Sequence, residues 1–104
     1  MPDNNHTHPE IQFDEGRHWR AKIGYVLLAT EQTISDDVYT LKPTGVGVHF
    51  ARAPIPDSIT NETLLAQADQ LAPAAATILP DGSLDVVCYG CTSGSLVIGE
   101  DRVF

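Results

Sequence analysis

Three observations predict an α/β domain built on a parallel sheet: short runs that are apolar without interruption, an amphipathic helical stretch between two of them, and breakers wherever the pattern changes. The apolar runs are residues 21–28, 45–52 and 84–89. A strand covered on both faces carries apolar side chains on both, so it reads as a continuous run rather than an alternation. The order strand, helix, strand, helix, strand, then the start of another helix implies parallel neighbours joined by right-handed crossovers.

Taken in order, residues 1–20 are polar and aperiodic, with His6, His8 and His18 among acids and amides. They read as a mobile or loosely docked tail, and the domain is expected to span 21–104. His6 and His8 have no third ligand at a usable spacing, so they are read as part of a solvated tail. The first strand, 21–28, leads through the polar loop Ala29-Thr30-Glu31-Gln32-Thr33 to a short helix over 34–41. The second strand, 45–52, is stopped by Pro54 and Pro56. His49 inside it is read as a packed or hydrogen-bonded strand residue rather than a catalyst.

Leu64, Leu65, Ala68, Leu71, Ala72, Ala75, Ile78 and Leu79 recur at helical offsets and form one apolar stripe. Ser58, Thr60 or Asn61 is available to cap its start, and Pro80-Asp81-Gly82-Ser83 supplies the turn that stops it. Pro73 lies within the stripe and predicts a kink at that point. The third strand, 84–89, runs into a helix that has nothing to pack on, so the sequence reads as the N-terminal portion of a longer protein.

The chain has 104 residues and a net charge of -8, which argues against nucleic acid or an anionic membrane as the main partner. It contains no apolar stretch of about 18 residues and no signal-peptide pattern at its start, so the cytoplasm is the expected compartment. There, the pair Cys88 and Cys91, spaced C-x-x-C, suggests redox or metal chemistry before a structural disulfide. Cys88 belongs to the apolar strand run and is expected to be buried and inert. A metal site needs further soft ligands that the chain does not offer, so no metal is expected.

In an open α/β sheet the site lies beyond the carboxyl ends of the strands, where strand order reverses. With the second strand beside the first and the first beside the third, the loop at Thr30 to Thr33 faces the segment Cys91-Thr92-Ser93-Gly94-Ser95, with Arg52 to Pro56 at the flank. A strand-to-helix junction presents unpaired N–H groups that favour a bound anion and favour thiolate over thiol. Gly90 and Gly94 let the backbone turn and approach a ligand. Two readings stand side by side. In one, Cys91 acts on the carbon next to a carboxylate held by Thr92, Ser93 and Ser95. In the other, Thr92 or Ser93 caps a helix and Cys91 is a small packed residue.

The segments Ile23-Gly24-Tyr25-Val26-Leu27-Leu28 and Val86-Val87-Cys88-Tyr89-Gly90-Cys91-Thr92-Ser93 resemble the aspartate/glutamate racemase superfamily, nearest to its maleate cis-trans isomerase and arylmalonate decarboxylase group. The resemblance covers residues 21–104. It implies a flavodoxin-like three-layer sandwich with a parallel sheet, of which this chain is the first of two pseudo-symmetric halves. It also implies a cofactor-independent racemase or isomerase of a small carboxylic or amino acid. Cys91 matches the catalytic cysteine of the first half, as acid/base or nucleophile, and Thr92 and Ser93 match the residues that hold the substrate carboxylate. The partner cysteine is expected beyond Phe104. The decarboxylases carry glycine where this chain has Cys91, which favours racemisation or isomerisation over decarboxylation.

In the isomerases an asparagine stands where this chain has Glu31. A carboxylate there repels a dicarboxylic substrate but pairs with an ammonium group. Glu31-Gln32-Thr33, with Arg52-Ala53-Pro54-Ile55-Pro56, is similar to the branch associated with ectoine utilisation, so Glu31, Gln32 and Thr33 are expected to bind an amino-bearing substrate. The plainer reading is that Glu31 only interacts with a helix N-terminus. A non-catalytic carboxylate-binding module on the same scaffold is the rival from another class, and a homo-oligomer is left open.

Overall fold

The computed structural model describes residues 10–14, 16–56 and 58–104. Its elements are β1 (Ala21–Leu28), α1 (Ile34–Leu41), β2 (Val46–Ala53), α2 (Asn61–Ala66), α3 (Ala68–Ala76), β3 (Val86–Tyr89), α4 (Thr92–Ile98) and α5 (Glu100–Val103). The sheet has the order β2-β1-β3 and both pairings are parallel, so the chain is an α/β protein consistent with a flavodoxin-like fold.

β1 is the central strand, and its two faces feed two helical layers. Val26 and Gly24 point toward α3: Val26 joins Ala53 and Ile78 in a buried cluster flanked by Leu71, Ala74, Ala75 and Leu84. A Cβ on Gly24 would lie 2.8 Å from Leu84 Cδ1, so the bare glycine lets the Leu84 side chain lie close against the sheet. On the opposite face Tyr25 stacks on Phe50 at 5.5 Å between ring centroids, and Tyr39 of α1 meets Phe50 edge-on at 5.8 Å. Leu27, fully buried, anchors this second layer. Burying a side chain of that size contributes about 1.5–3 kcal/mol.

The residues before β1 are docked in part. Arg20 N donates to Gly45 O at 2.9 Å, and the His18 ring meets His49 edge-on at 5.3 Å. His18 also covers Gly47, where any side chain would strike its ring. His49 is half-buried, its Nε2 has no partner among the described residues, and burial holds its pKa below the usual histidine value, with His18 and Lys22 adding to the effect. His6 and His8 lie outside the described residues.

Three expectations are corrected. The long amphipathic stripe forms two helices, and the break falls at Gln67 rather than at Pro73, which sits inside α3. Gln67 is 2 % exposed because its side chain turns inward to let Nε2 donate to Pro54 O, and the chain tightens around it through Gln67 N to Leu64 O and Gln70 N to Gln67 O. Such i to i+3 bonds mark a local departure from α geometry. The start of α2 is fixed by a reciprocal cap, with Thr63 N donating to Thr60 Oγ1 at 3.1 Å and Thr60 N donating to Thr63 Oγ1 at 2.8 Å.

The third strand is shorter than predicted and is not covered on both faces: Val86 and Val87 are 53 % and 46 % exposed, and Cys88 is exposed rather than buried. β3 is an edge strand paired with β1 alone, so a sequence suited to the middle of a sheet meets solvent here. The closing helix does find a surface, because α4 packs against α2 with Gly94, Ile98 and Leu64 buried.

Candidate active site

Because β1 and β3 are parallel neighbours, the loops that leave their carboxyl ends emerge at the same edge of the sheet. The pairing continues one residue past β3, with Gly90 N donating to Val26 O at 2.8 Å. A Cβ on Gly90 would lie 2.6 Å from Leu27 Cδ2 and 3.6 Å from Ile34 Cδ1, so this glycine is where the β3 exit passes the head of α1.

Cys91 follows in an extended conformation, φ -145° and ψ 104°, and serves as the N-cap of α4. Its Sγ accepts the Gly94 N–H at 3.3 Å and lies 3.7 Å from Ser93 Oγ. Its carbonyl accepts both Ser95 N, at 3.0 Å, and Ser95 Oγ, at 2.8 Å. Ser95 is thereby committed to the backbone, whereas Thr92 and Ser93 are exposed and present their hydroxyls outward beside the half-buried sulfur. A cysteine at an N-cap performs with a soft acceptor the task that Ser, Thr or Asp usually performs with oxygen.

The loop after β1 is closed on itself. Glu31 Oε1 accepts Thr33 N at 2.7 Å, Ile34 N at 2.9 Å and Thr33 Oγ1 at 3.1 Å. These donors, the Thr33 amide first and the Ile34 amide second, hold the Glu31 carboxyl below its ordinary value. Thr33, at the N-cap position of α1, makes no side-chain cap bond itself. Arg52 of β2 staples the loop from outside, its Nη1 donating to Leu28 O at 3.0 Å and to Glu31 O at 2.6 Å. The Glu31 carboxylate therefore has the geometry of the plainer sequence reading, a cap on α1, and Gln32 and Thr33 are exposed next to it.

The residue that sequence reasoning passed over is Tyr89. It precedes Cys91 by two positions, so along an extended chain the two side chains leave on the same face. Its hydroxyl is enclosed and has no hydrogen-bond partner among the described residues. A Cβ on Gly94 would strike Tyr89 Oη and come within 3.0 Å of Cys91 Sγ, so phenol and thiol converge over the bare Gly94 Cα. Burial pushes the Tyr89 pKa well above that of a free phenol, and the neighbouring Cys91 adds to the rise. The period-2 spacing of Tyr89 and Cys91 was the available signal, masked by their being read as parts of two different elements.

Two hollows lie near these elements. An apolar groove of about 960 Å³ runs between α3, β3 and the last two helices, and a smaller one of about 390 Å³ lies against Pro54, Pro56 and Gln67. Cys91, Thr92 and Ser93 line neither. Among the described residues no three His, Cys, Asp or Glu side chains are grouped to hold a metal ion, and no helix is long and apolar enough to cross a membrane. Cys88 and Cys91 are both free thiols. Comparison with protein-family profiles, with curated proteins and with solved structures gave no match.

Proposed function

We propose that this chain supplies one catalytic position of a cofactor-independent racemase or isomerase acting on a small carboxylic or amino acid, with Cys91 as the acid/base or nucleophilic group. The observation that carries the reading is the combination at one strand exit: a half-exposed sulfur, an N–H already directed at it from Gly94, and two exposed hydroxyl residues alongside, Thr92 and Ser93, the latter with its Oγ 3.7 Å from the sulfur. Removing a proton from the carbon next to a carboxylate builds charge on the carboxylate oxygens, and donors fixed in advance around those oxygens lower the barrier. Thr92 and Ser93 would hold that carboxylate while the Cys91 thiolate takes the proton and becomes a thiol.

Gln32 and Thr33, on the facing loop, are the groups nearest to a substrate's far end in this reading, with Glu31 offering a carboxylate edge to an ammonium group. That favours an amino acid derivative, of the kind the ectoine-utilisation branch would process, over a plain dicarboxylate. Racemisation with two bases needs a second base besides Cys91. The test is exchange of the α-proton for deuterium by the full-length protein across a panel of small amino and carboxylic acids. Cys91→Ala is expected to abolish exchange while Cys88→Ala retains most of it; equal losses would refute the assignment.

The reading as a carboxylate-binding module without turnover draws on a different observation, the use of Cys91 Sγ as an ordinary helix cap. It predicts binding of small acids with no exchange in any variant.

A further inference from the structure

Tyr89 carries a polar group that neither the fold nor the proposed chemistry has yet used. A hydroxyl enclosed without a partner is disfavoured, because it has left water and gained nothing in return. Its surroundings offer one group able to change that. A neutral thiol is a weak acceptor, whereas a thiolate is a strong one, and a hydrogen bond to a charged acceptor is about twice as strong as a neutral one. Cys91 Sγ converges with Tyr89 Oη over Gly94, and, after burial, it is the neighbour that raises the phenol's pKa.

We propose that Tyr89 is a positioning residue for Cys91: its enclosed hydroxyl turns to donate a hydrogen bond to the sulfur when Cys91 loses its proton, so that Gly94 N–H and Tyr89 O–H together hold the thiolate. The phenol keeps its own proton throughout, since burial and a nearby negative sulfur both oppose its ionisation. The proton released by Cys91 goes to solvent or to an attacking carbanion, and no other bond changes. Charged or titratable groups on the elements packed around this pair are Lys22 and Tyr25 on β1, Glu62 on α2, Asp69 on α3, and Glu100, Asp101 and Arg102 on α5, with Cys88 on β3 itself. α4 carries none. The group that the Tyr89 hydroxyl meets over Gly94 is the Cys91 sulfur.

The proposal deepens the reading of Cys91 as the working group, and it is tested without turnover so that the two fail separately. In a chain carrying Cys88→Ser, so that Cys91 alone reports, the rate of alkylation by iodoacetamide is followed against pH. Tyr89→Phe is expected to move the midpoint of that profile upward and to slow alkylation about tenfold below it, the scale of one hydrogen bond to a charged group. A merely structural phenol would leave the midpoint where it was. Replacing the chain's tyrosines by 3-fluorotyrosine keeps the ring's shape and makes the phenol a stronger donor, so the midpoint is expected to move downward; this preparation decides the matter if Tyr89→Phe does not fold. Profiles that coincide with the unsubstituted chain overturn the role of Tyr89 and leave the isomerase reading intact. α-Proton exchange that persists in Cys91→Ala has the opposite consequence, removing the isomerase reading and leaving the hydrogen bond.

Discussion

Two helices, α1 and α4, start side by side at the carboxyl edge of the sheet, and each is closed by an acceptor from the residues just before it, but the two acceptors differ in kind. At α1 the acceptor is an oxygen of Glu31, which takes two amide protons and a hydroxyl at 2.7 to 3.1 Å. At α4 it is the sulfur of Cys91, which takes one amide proton at 3.3 Å. A carboxylate is charged, hard and forms short bonds, so it locks the turn around it. Sulfur is a weak acceptor, so it leaves the turn less tightly drawn and its neighbours Thr92 and Ser93 exposed. The lesson is that a capping position can be structural or reactive on the same scaffold, depending on how completely the cap atom is used by its own helix.

The contrast can be broken most severely at Gly94. Gly94→Ala drives a methyl group into Tyr89 Oη and against Cys91 Sγ, and it is expected to destabilise the chain by about 1–3 kcal/mol, the usual cost of overpacking a closed site. Thermal unfolding measures this; an unchanged midpoint would show that phenol and thiol are not held over that Cα. A smaller loss is expected for Glu31→Gln, which keeps the acceptor oxygen but removes its charge. The variant should unfold at a lower denaturant concentration near neutral pH and match the parent in acid, where the parent carboxylate is itself protonated.

The smallest effect is the one read by titration. The folded value of Glu31 lies below its reference of 4.5, so the unfolded chain binds more protons and stability falls with falling pH. The contribution is complete above pH 4.5 and is lost as the pH drops through the folded value. Circular dichroism of α1 in the Glu31→Gln chain should lack that part of the acid transition.

Much of the local layout was legible in the residues. The strand 21–28 and the helix 34–41 are found as the apolar run and the polar loop between them predict, because periodicity and breakers act over a few residues. The second strand is displaced by one residue at each end. The division of the long stripe at Gln67 was not legible, because it rests on a tertiary hydrogen bond, Gln67 to Pro54 O. At the candidate site the position of Cys91 at a strand exit was readable from composition and order, with its roles as acid/base and as packed cap residue left equal by spacing, whereas the engagement of Glu31 with its own helix was the plainer of two readings of that residue. Tyr89 was missed because a tyrosine at the end of an apolar run looks like core.

By itself the sequence determined the number of strands, their parallel arrangement and the placement of Cys91, Thr92 and Ser93 where the third strand gives way to a helix. Each of these is readable from patterns among residues close along the chain and from the order of the elements. Only the tertiary structure decided that β3 lies at the edge with Cys88 exposed, that Glu31 spends an oxygen on α1, and that the Tyr89 hydroxyl comes to rest beside sulfur. Exposure and side-chain partnership depend on which distant segments arrive at a given face, and no pattern in a single stretch of residues contains that information.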